Sequence, residues 1–125
     1  MNNVAYFEIQ ATHPAKLITF YATVFGWNFI KEELVPIEYY RIETIGINGG
    51  LLKRPAKIPP PEYGTNAFTC SIFVEDFDIT AELILANGGQ VAIPKFAIPG
   101  RCWQGYFIDP DNNVFGIFQA DENAK

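Results

Sequence analysis

The sequence predicts an α+β fold made of two tandem βαβββ modules. Each half of the chain reads as one strand, one helix and three further strands, and the second half repeats this order after about sixty residues. One proline-dense segment, residues 55–66, lies between the halves. A doubly wound fold would instead alternate strands and helices. We therefore expect two four-stranded sheets with their helices outside, whose other faces form a cup or barrel-like cavity for a small molecule.

The first module, about residues 1–54, begins with a strand predicted over residues 4–10, where β-forming side chains alternate. A helix is predicted from Pro14, a residue suited to the first helical position, to a glycine cap at Gly26. Its apolar side chains recur at helical spacing, at Leu17, Phe20, Tyr21, Val24 and Phe25. The three remaining strands are predicted over residues 27–33, 39–45 and 47–53.

The second module, about residues 67–121, starts with a strand predicted over residues 67–74. Asp76 is predicted to cap a helix on which Ile79, Leu83 and Ala86 share the packing face. The later strands are predicted over residues 90–94, 102–108 and 114–119, with a turn over residues 109–113. Segment 55–66 is predicted to be a linker within a single domain of residues 1–125, because proline has no N–H to donate to a sheet.

Composition narrows the classes of function. The formal net charge of −5 and the scattered basic residues argue against a nucleic-acid surface. No apolar run reaches the ~18 residues of a membrane span, and the first residues lack the basic region of a signal peptide. Cys70 and Cys102 lie in apolar stretches, so we expect buried, reduced thiols in a cytoplasmic protein. Phosphate-binding glycine motifs are missing from the sequence.

Several short motifs together are typical of one superfamily. They are FEI at residues 7–9, FY at 20–21, VFGW at 24–27, INGG at 47–50, ANGG at 86–89, IPG at 98–100 and DPDNNVFG at 109–116. Through them the chain resembles the vicinal oxygen chelate superfamily, which includes glyoxalase I, bleomycin-resistance proteins and extradiol dioxygenases. The resemblance covers nearly the whole chain, and it implies the same paired βαβββ fold.

The resemblance also implies four metal-ligand positions, usually His and Glu, on the first and last strands of each module. These positions fall on four residues that are poor ligands, namely Tyr6, Gly50, Thr69 and Gly116. The chain has one histidine, His13, at the start of the first helix, so a site of two histidines and one carboxylate cannot form within one chain. We expect no cofactor, although a hard divalent metal on carboxylates alone stays open.

Strand alternation supplies the other candidate site residues. It places Glu8 on the face of Tyr6, where Glu8 either pairs with an arginine or the backbone, or binds a cationic ligand or acts as a catalytic general base. Further ligand-binding residues are expected on the same faces, at Asn48, Gly50, Thr69, Ser71, Gly116 and Phe118. The two glycines are expected to leave volume for a larger ligand. Arg101 and Trp103 are predicted on a mobile loop beside the cup.

Three functions remain open. We favour metal-independent binding of a small aromatic or cationic molecule, similar to the bleomycin-resistance branch. The alternative is a lyase, isomerase or dioxygenase with an altered metal site or with Glu8 as general base. The third is a protein that uses the fold mainly to associate, its cavity filled by its own side chains. We expect a homodimer, because edge strands and aromatic residues need covering.

Overall fold

The computed structural model describes residues 1–54 and 67–125. The chain divides into two compact units, Met1–Lys57 and Ile58–Lys125. Among the described residues, each unit contains one strand, one helix and three further strands in that order, which confirms the predicted α+β fold of two βαβββ modules. The predicted linker, residues 55–66, lies outside the described residues.

The first unit is a four-stranded sheet with one helix. Its elements are β1 (Phe7–Ala11), α1 (Pro14–Phe25), β2 (Asn28–Lys31), β3 (Tyr39–Glu43) and β4 (Gly49–Lys53). The strand order is β1-β4-β3-β2, in which β1 and β4 are parallel and the other pairs are antiparallel. β1 therefore pairs with the last strand of its own unit, and β2, β3 and β4 follow one another as an antiparallel meander.

The core of the first unit lies between α1 and the sheet. The predicted helix stripe is confirmed at Leu17, Phe20 and Tyr21, which are all buried. Opposite them, Ile42 of β3 and Leu51 of β4 are fully buried. The helix ends at Gly26, as predicted, and this residue adopts the left-handed conformation (φ 72°) that glycine tolerates best.

The second unit repeats the arrangement. Its elements are β5 (Ser71–Phe73), α2 (Phe77–Ala86), β6 (Gln90–Ile98), β7 (Cys102–Ile108) and β8 (Val114–Ala120). The strand order, β5-β8-β7-β6, matches that of the first unit. β6 runs well beyond its predicted end at Pro94, because the register shifts between Ile93 and Phe96 let the strand bypass a residue that cannot donate to the ladder.

The cap of α2 was predicted correctly, and its packing face was predicted wrongly. The Asp76 side chain accepts a hydrogen bond from the Ile79 N–H at 3.0 Å. However, Ile79 is 59% exposed and Leu83 is 40% exposed, whereas Phe77 and Ile84 are buried. Phe77 packs on the sheet where β7 has a glycine, since a Cβ at Gly105 would lie 2.7 Å from its ring.

The turn over residues 109–113 is present, and Asp109 accepts hydrogen bonds in it from the N–H groups of Asp111 and Asn113. The prediction of two buried thiols is wrong, because Cys70 is exposed and Cys102 is only partly buried. Among the described residues, neither helix has the combination of length and apolar character that a membrane-spanning helix needs.

Candidate functional site

Each sheet has one face against its own helix and one face turned away from it, which we call the open face. In the first unit, alternation along the strands places Glu8, Tyr39 and Gly50 on the open face. Tyr6, just before β1, lies on the same side because its hydroxyl donates a hydrogen bond to Glu8 Oε2 at 3.0 Å. The predicted common face of Tyr6 and Glu8 is thus present.

Two phenols meet above Gly50. The hydroxyl oxygens of Tyr6 and Tyr39 are 2.5 Å apart, and they join Glu8 in one hydrogen-bonded chain. A Cβ at Gly50 would lie 2.5 Å from the Tyr6 hydroxyl oxygen and equally close to the Tyr39 ring. The expectation that this glycine leaves volume for a ligand is therefore wrong, because the phenols take up the space directly above it.

The phenol of Tyr6 is held in its neutral form. Partial burial is the main cause that raises the pKa of Tyr6 above its usual range, followed by the hydrogen bonds with Tyr39 and Glu8. A nearby carboxylate adds to this effect, because it opposes a second negative charge. The ring is nevertheless 47% exposed, so it stays within reach of a ligand.

The charges beside this cluster are unevenly paired. Arg41 lies on the same face, in register with Gly50, and forms ion pairs with Glu32 and with Glu43, the latter at 3.7 Å. Glu8 is exposed and has no ion-pair partner in the part of the chain that the structure describes. The first open face therefore presents the Glu8 carboxylate, whose charge is not neutralised by any arginine or lysine that the structure describes.

The second open face has a different composition. Ser71 and Gly116 are in register on the parallel pair β5 and β8, and Tyr106 is in register with Gly116 on β7. Gln104 Nε2 donates to Ser71 Oγ at 3.1 Å. A Cβ at Gly116 would lie 2.8 Å from Gln104 Nε2 and 3.0 Å from the Tyr106 ring, so this glycine leaves no empty volume either.

Two stacked aromatic pairs border these polar residues. Phe73 and Phe118 stack with ring centroids 5.0 Å apart, and Phe96 and Tyr106 stack at 6.3 Å. The position of Phe118 on this face agrees with the predicted alternation. Tyr39 and Gln104 were not among the predicted site residues, although the alternation of β3 and β7 would have found them once the strand order was known.

The remaining candidates lie elsewhere. Trp103 is not on a loop but in β7, on the helix side, where its indole N–H donates to Asp121 at 3.0 Å and Lys95 Nζ lies 4.7 Å from its ring centroid. Arg101 is exposed in the turn before β7. Asn48 holds a tight turn, since its Oδ1 accepts from the Thr44 N–H at 2.9 Å. Thr69 is exposed, ahead of β5.

The residues present do not fit a divalent metal. Of the four positions that the resemblance gives as metal ligands, two are glycines, one is a threonine, and Tyr6 is a phenol whose raised pKa disfavours the ionised form that binds metals. Within residues 1–54 and 67–125, His, Cys, Asp and Glu side chains form no group of three or more that could hold an ion.

Comparison with known proteins agrees with this fold. A sequence model of the Glyoxalase/Bleomycin resistance protein/Dioxygenase superfamily matches residues 3–117. The chain is 27% identical over 118 residues to the Mycobacterium bovis protein CFP32, named as a presumed glyoxylase. That alignment covers 93% of this chain and 45% of CFP32, so the chain spans less than half of this relative.

Solved structures show the same fold at low sequence identity. A glyoxylase/bleomycin resistance protein/dioxygenase domain from Frankia sp. EAN1pec aligns with a TM-score of 0.78 at 16% identity, covering 98% of this chain and 94% of that one. A variant of the fosfomycin resistance protein FosX from Listeria monocytogenes, complexed with Mn(II) and 1S,2S-dihydroxypropylphosphonic acid, gives 0.76 at 14% identity, covering 97% and 94%.

Proposed function

Because the chain belongs to the Glyoxalase/Bleomycin resistance protein/Dioxygenase superfamily, we propose that it binds a small aromatic or cationic molecule without a metal. We assign the cationic part of this recognition to the first open face. One observation carries the assignment: Glu8 is an exposed carboxylate that is hydrogen-bonded to a phenol and is not neutralised by a cationic side chain among the described residues.

The chemistry of this cluster suits an ammonium group. The Tyr6 hydroxyl occupies Glu8 Oε2, which leaves Oε1 to meet a positive charge. The exposed ring of Tyr6 adds a π face, and such faces attract cations. Arg41, the cationic residue in register with Gly50, is engaged by Glu32 and Glu43 and so competes little for Glu8.

A second candidate is a lyase or isomerase in which Glu8 takes a proton from the substrate. The name of CFP32 favours it, because that relative is called a presumed glyoxylase. A carboxylate within hydrogen-bond reach of a substrate proton serves as a general base. Turnover of a hemithioacetal by the protein in EDTA buffer, lost in Glu8→Gln, would support this candidate over simple binding.

The binding proposal is tested by titrating benzyltrimethylammonium into the protein in EDTA buffer and measuring heat. We expect saturable binding, and we expect Glu8→Gln to weaken it about fivefold, because one charge pair at a partly exposed site contributes about 1 kcal/mol. Benzyl alcohol, which has the ring without the charge, should bind much more weakly.

Glu38→Gln is the matched control. Glu38 also accepts a hydrogen bond from a phenol, that of Tyr40 at 2.9 Å, and Tyr40 alternates with Tyr39 to the opposite face. This variant should bind the ammonium probe with unchanged affinity. Equal affinities for the unaltered protein and Glu8→Gln would rule out the role of Glu8, and a requirement for added metal would rule out metal-independent binding.

A further inference from the structure

We propose that the second open face is a binding site for a flat, uncharged aromatic ring that carries a carboxamide or lactam edge. This inference rests on the aromatic part of the proposed function, and it goes beyond the assignment of an ammonium group to the first open face. It rests on three hydrogen-bonding groups and on the aromatic side chains beside them, all within the second unit.

Gln104 provides the central acceptor. It is only 6% exposed, and its Nε2 donates to Ser71 Oγ at 3.1 Å and to the Gly105 carbonyl at 3.5 Å. Both amide hydrogens are thereby used, while Oε1 accepts no hydrogen bond within the described residues. Because every buried side-chain nitrogen and oxygen described has a partner, this unbonded Oε1 must reach solvent. A ligand N–H can therefore bind it.

Ser71 and Tyr106 provide the complementary donors. Ser71 Oγ accepts from Gln104, so its own proton stays available to a ligand. The Tyr106 hydroxyl forms no hydrogen bond with any described residue, and Tyr106 lies in register with Gly116, the residue opposite Ser71. The side chains that carry this acceptor and these two donors surround Gly116 on one face. Carboxamide and lactam groups carry an N–H beside a carbonyl, which matches this pattern.

The aromatic side chains supply the apolar contact. In strand register, Gln104 lies between Phe118 on β8 and Phe96 on β6, and Phe73 is in register with Phe118. Phe118 and Phe96 are separated by two strand spacings, about 10 Å, which admits a flat ring over the glutamine. Phe73 stacks on Phe118 from the side away from Gln104, with ring centroids 5.0 Å apart, so the other face of the Phe118 ring is available to a ligand over Gln104.

Nicotinamide is the probe, because it joins an aromatic ring to a carboxamide. We expect saturable binding followed by calorimetry, with shifts of the Gln104 side-chain amide in nitrogen–proton NMR spectra. Tyr106→Phe, which keeps the ring and removes the hydroxyl, should weaken binding about fivefold, as the loss of one hydrogen bond implies. Phe118→Leu should weaken it about as much by removing the stacking face beside Gln104. Tyr40→Phe is the control, because it removes a phenol hydroxyl from the first unit, and it should leave the affinity for nicotinamide unchanged.

A second probe makes the test independent of how the variants fold. N,N-dimethylnicotinamide lacks the N–H groups that Gln104 Oε1 would accept, so the unaltered protein should bind it about fivefold more weakly. Equal affinity for the two probes, or no saturation by nicotinamide up to about 20 mM, overturns the inference. Loss of ammonium binding in Glu8→Gln does not affect it, so failure here and failure of the proposed function are distinguishable.

Discussion

At the scale of single residues, Gly50 decides what the first open face presents. Because Gly50 has no side chain, the phenols of Tyr6 and Tyr39 can meet above it, with their hydroxyl oxygens 2.5 Å apart. Any larger residue would have to push at least one ring aside, because a Cβ would lie within 2.5 Å of both side chains. The family resemblance gives position 50 as a metal ligand, but in this structure Gly50 lies beneath a hydrogen-bonded pair of tyrosines.

The neutral phenols predict how stability depends on pH. The pKa of Tyr6 is raised mainly by burial, and that of Tyr40 mainly by its hydrogen bond to Glu38. At a pH below the ordinary tyrosine pKa of 10.0, these phenols are neutral in both the folded and the unfolded protein, so their stabilising contribution is present in full. Above it the unfolded state ionises first, and the free energy of unfolding falls as the pH rises.

Tyr6→Phe should therefore lose less stability than the unaltered protein between about pH 9 and pH 11. Urea unfolding at these two pH values measures the difference. Tyr40→Phe should act in the same direction, and the double variant should show the shallowest decline. An equal decline in the unaltered protein and in Tyr6→Phe would contradict the assigned cause.

At the scale of elements, the two helices show when periodicity identifies the packing face. In α1 the exposed residues include Lys16, Thr19 and Thr23, so polar side chains mark the outer surface and the predicted apolar stripe was correct. In α2 apolar residues occur on every side, and Ile79, Leu83 and Leu85 stay exposed. A pattern that is apolar all round cannot indicate which side packs.

The N-cap of α2 is expected to contribute to stability whichever face of the helix packs on the sheet. Asp76→Ala removes the acceptor for the Ile79 N–H and should lower the free energy of unfolding by about 1 kcal/mol. Glu82→Ala, at an exposed position within the same helix, is the control and should change it little. Urea unfolding at neutral pH compares the two. A loss no larger than that of the control would show that the cap is dispensable.

Strand order explains which site residues the sequence could predict. Alternation within one strand was enough to place Tyr6 beside Glu8, because both belong to the same segment. The contact of Tyr6 with Tyr39 depends on β4 lying between β1 and β3. That order is a tertiary feature, which the local pattern of β3 does not contain. The loop position predicted for Trp103 was wrong, although the strand predicted over residues 102–108 already contained this residue.

At the scale of the whole molecule, the two units place different chemistry at corresponding positions. Gly50 is in register with Glu8 and Arg41, whereas Gly116 is in register with Ser71 and Tyr106. The same framework thus carries a charged open face in one unit and a neutral, aromatic one in the other. The repeated fold determines the positions of the side chains, and the residue types at those positions determine what each face can bind.

The composition of both faces leads to a prediction about metals. Since neither unit offers His, Cys, Asp or Glu in a group of three within the described residues, a bound ion should not contribute to folding. We expect purified protein to carry well under one metal per chain by elemental analysis. Its thermal unfolding should be the same in EDTA as in Mn²⁺, Ni²⁺ or Zn²⁺, because a ligand that binds only the folded state would raise the midpoint. A midpoint that rises with one of these ions, together with stoichiometric retention of that ion, would mean that ligands come from residues outside the described ranges or from a second chain.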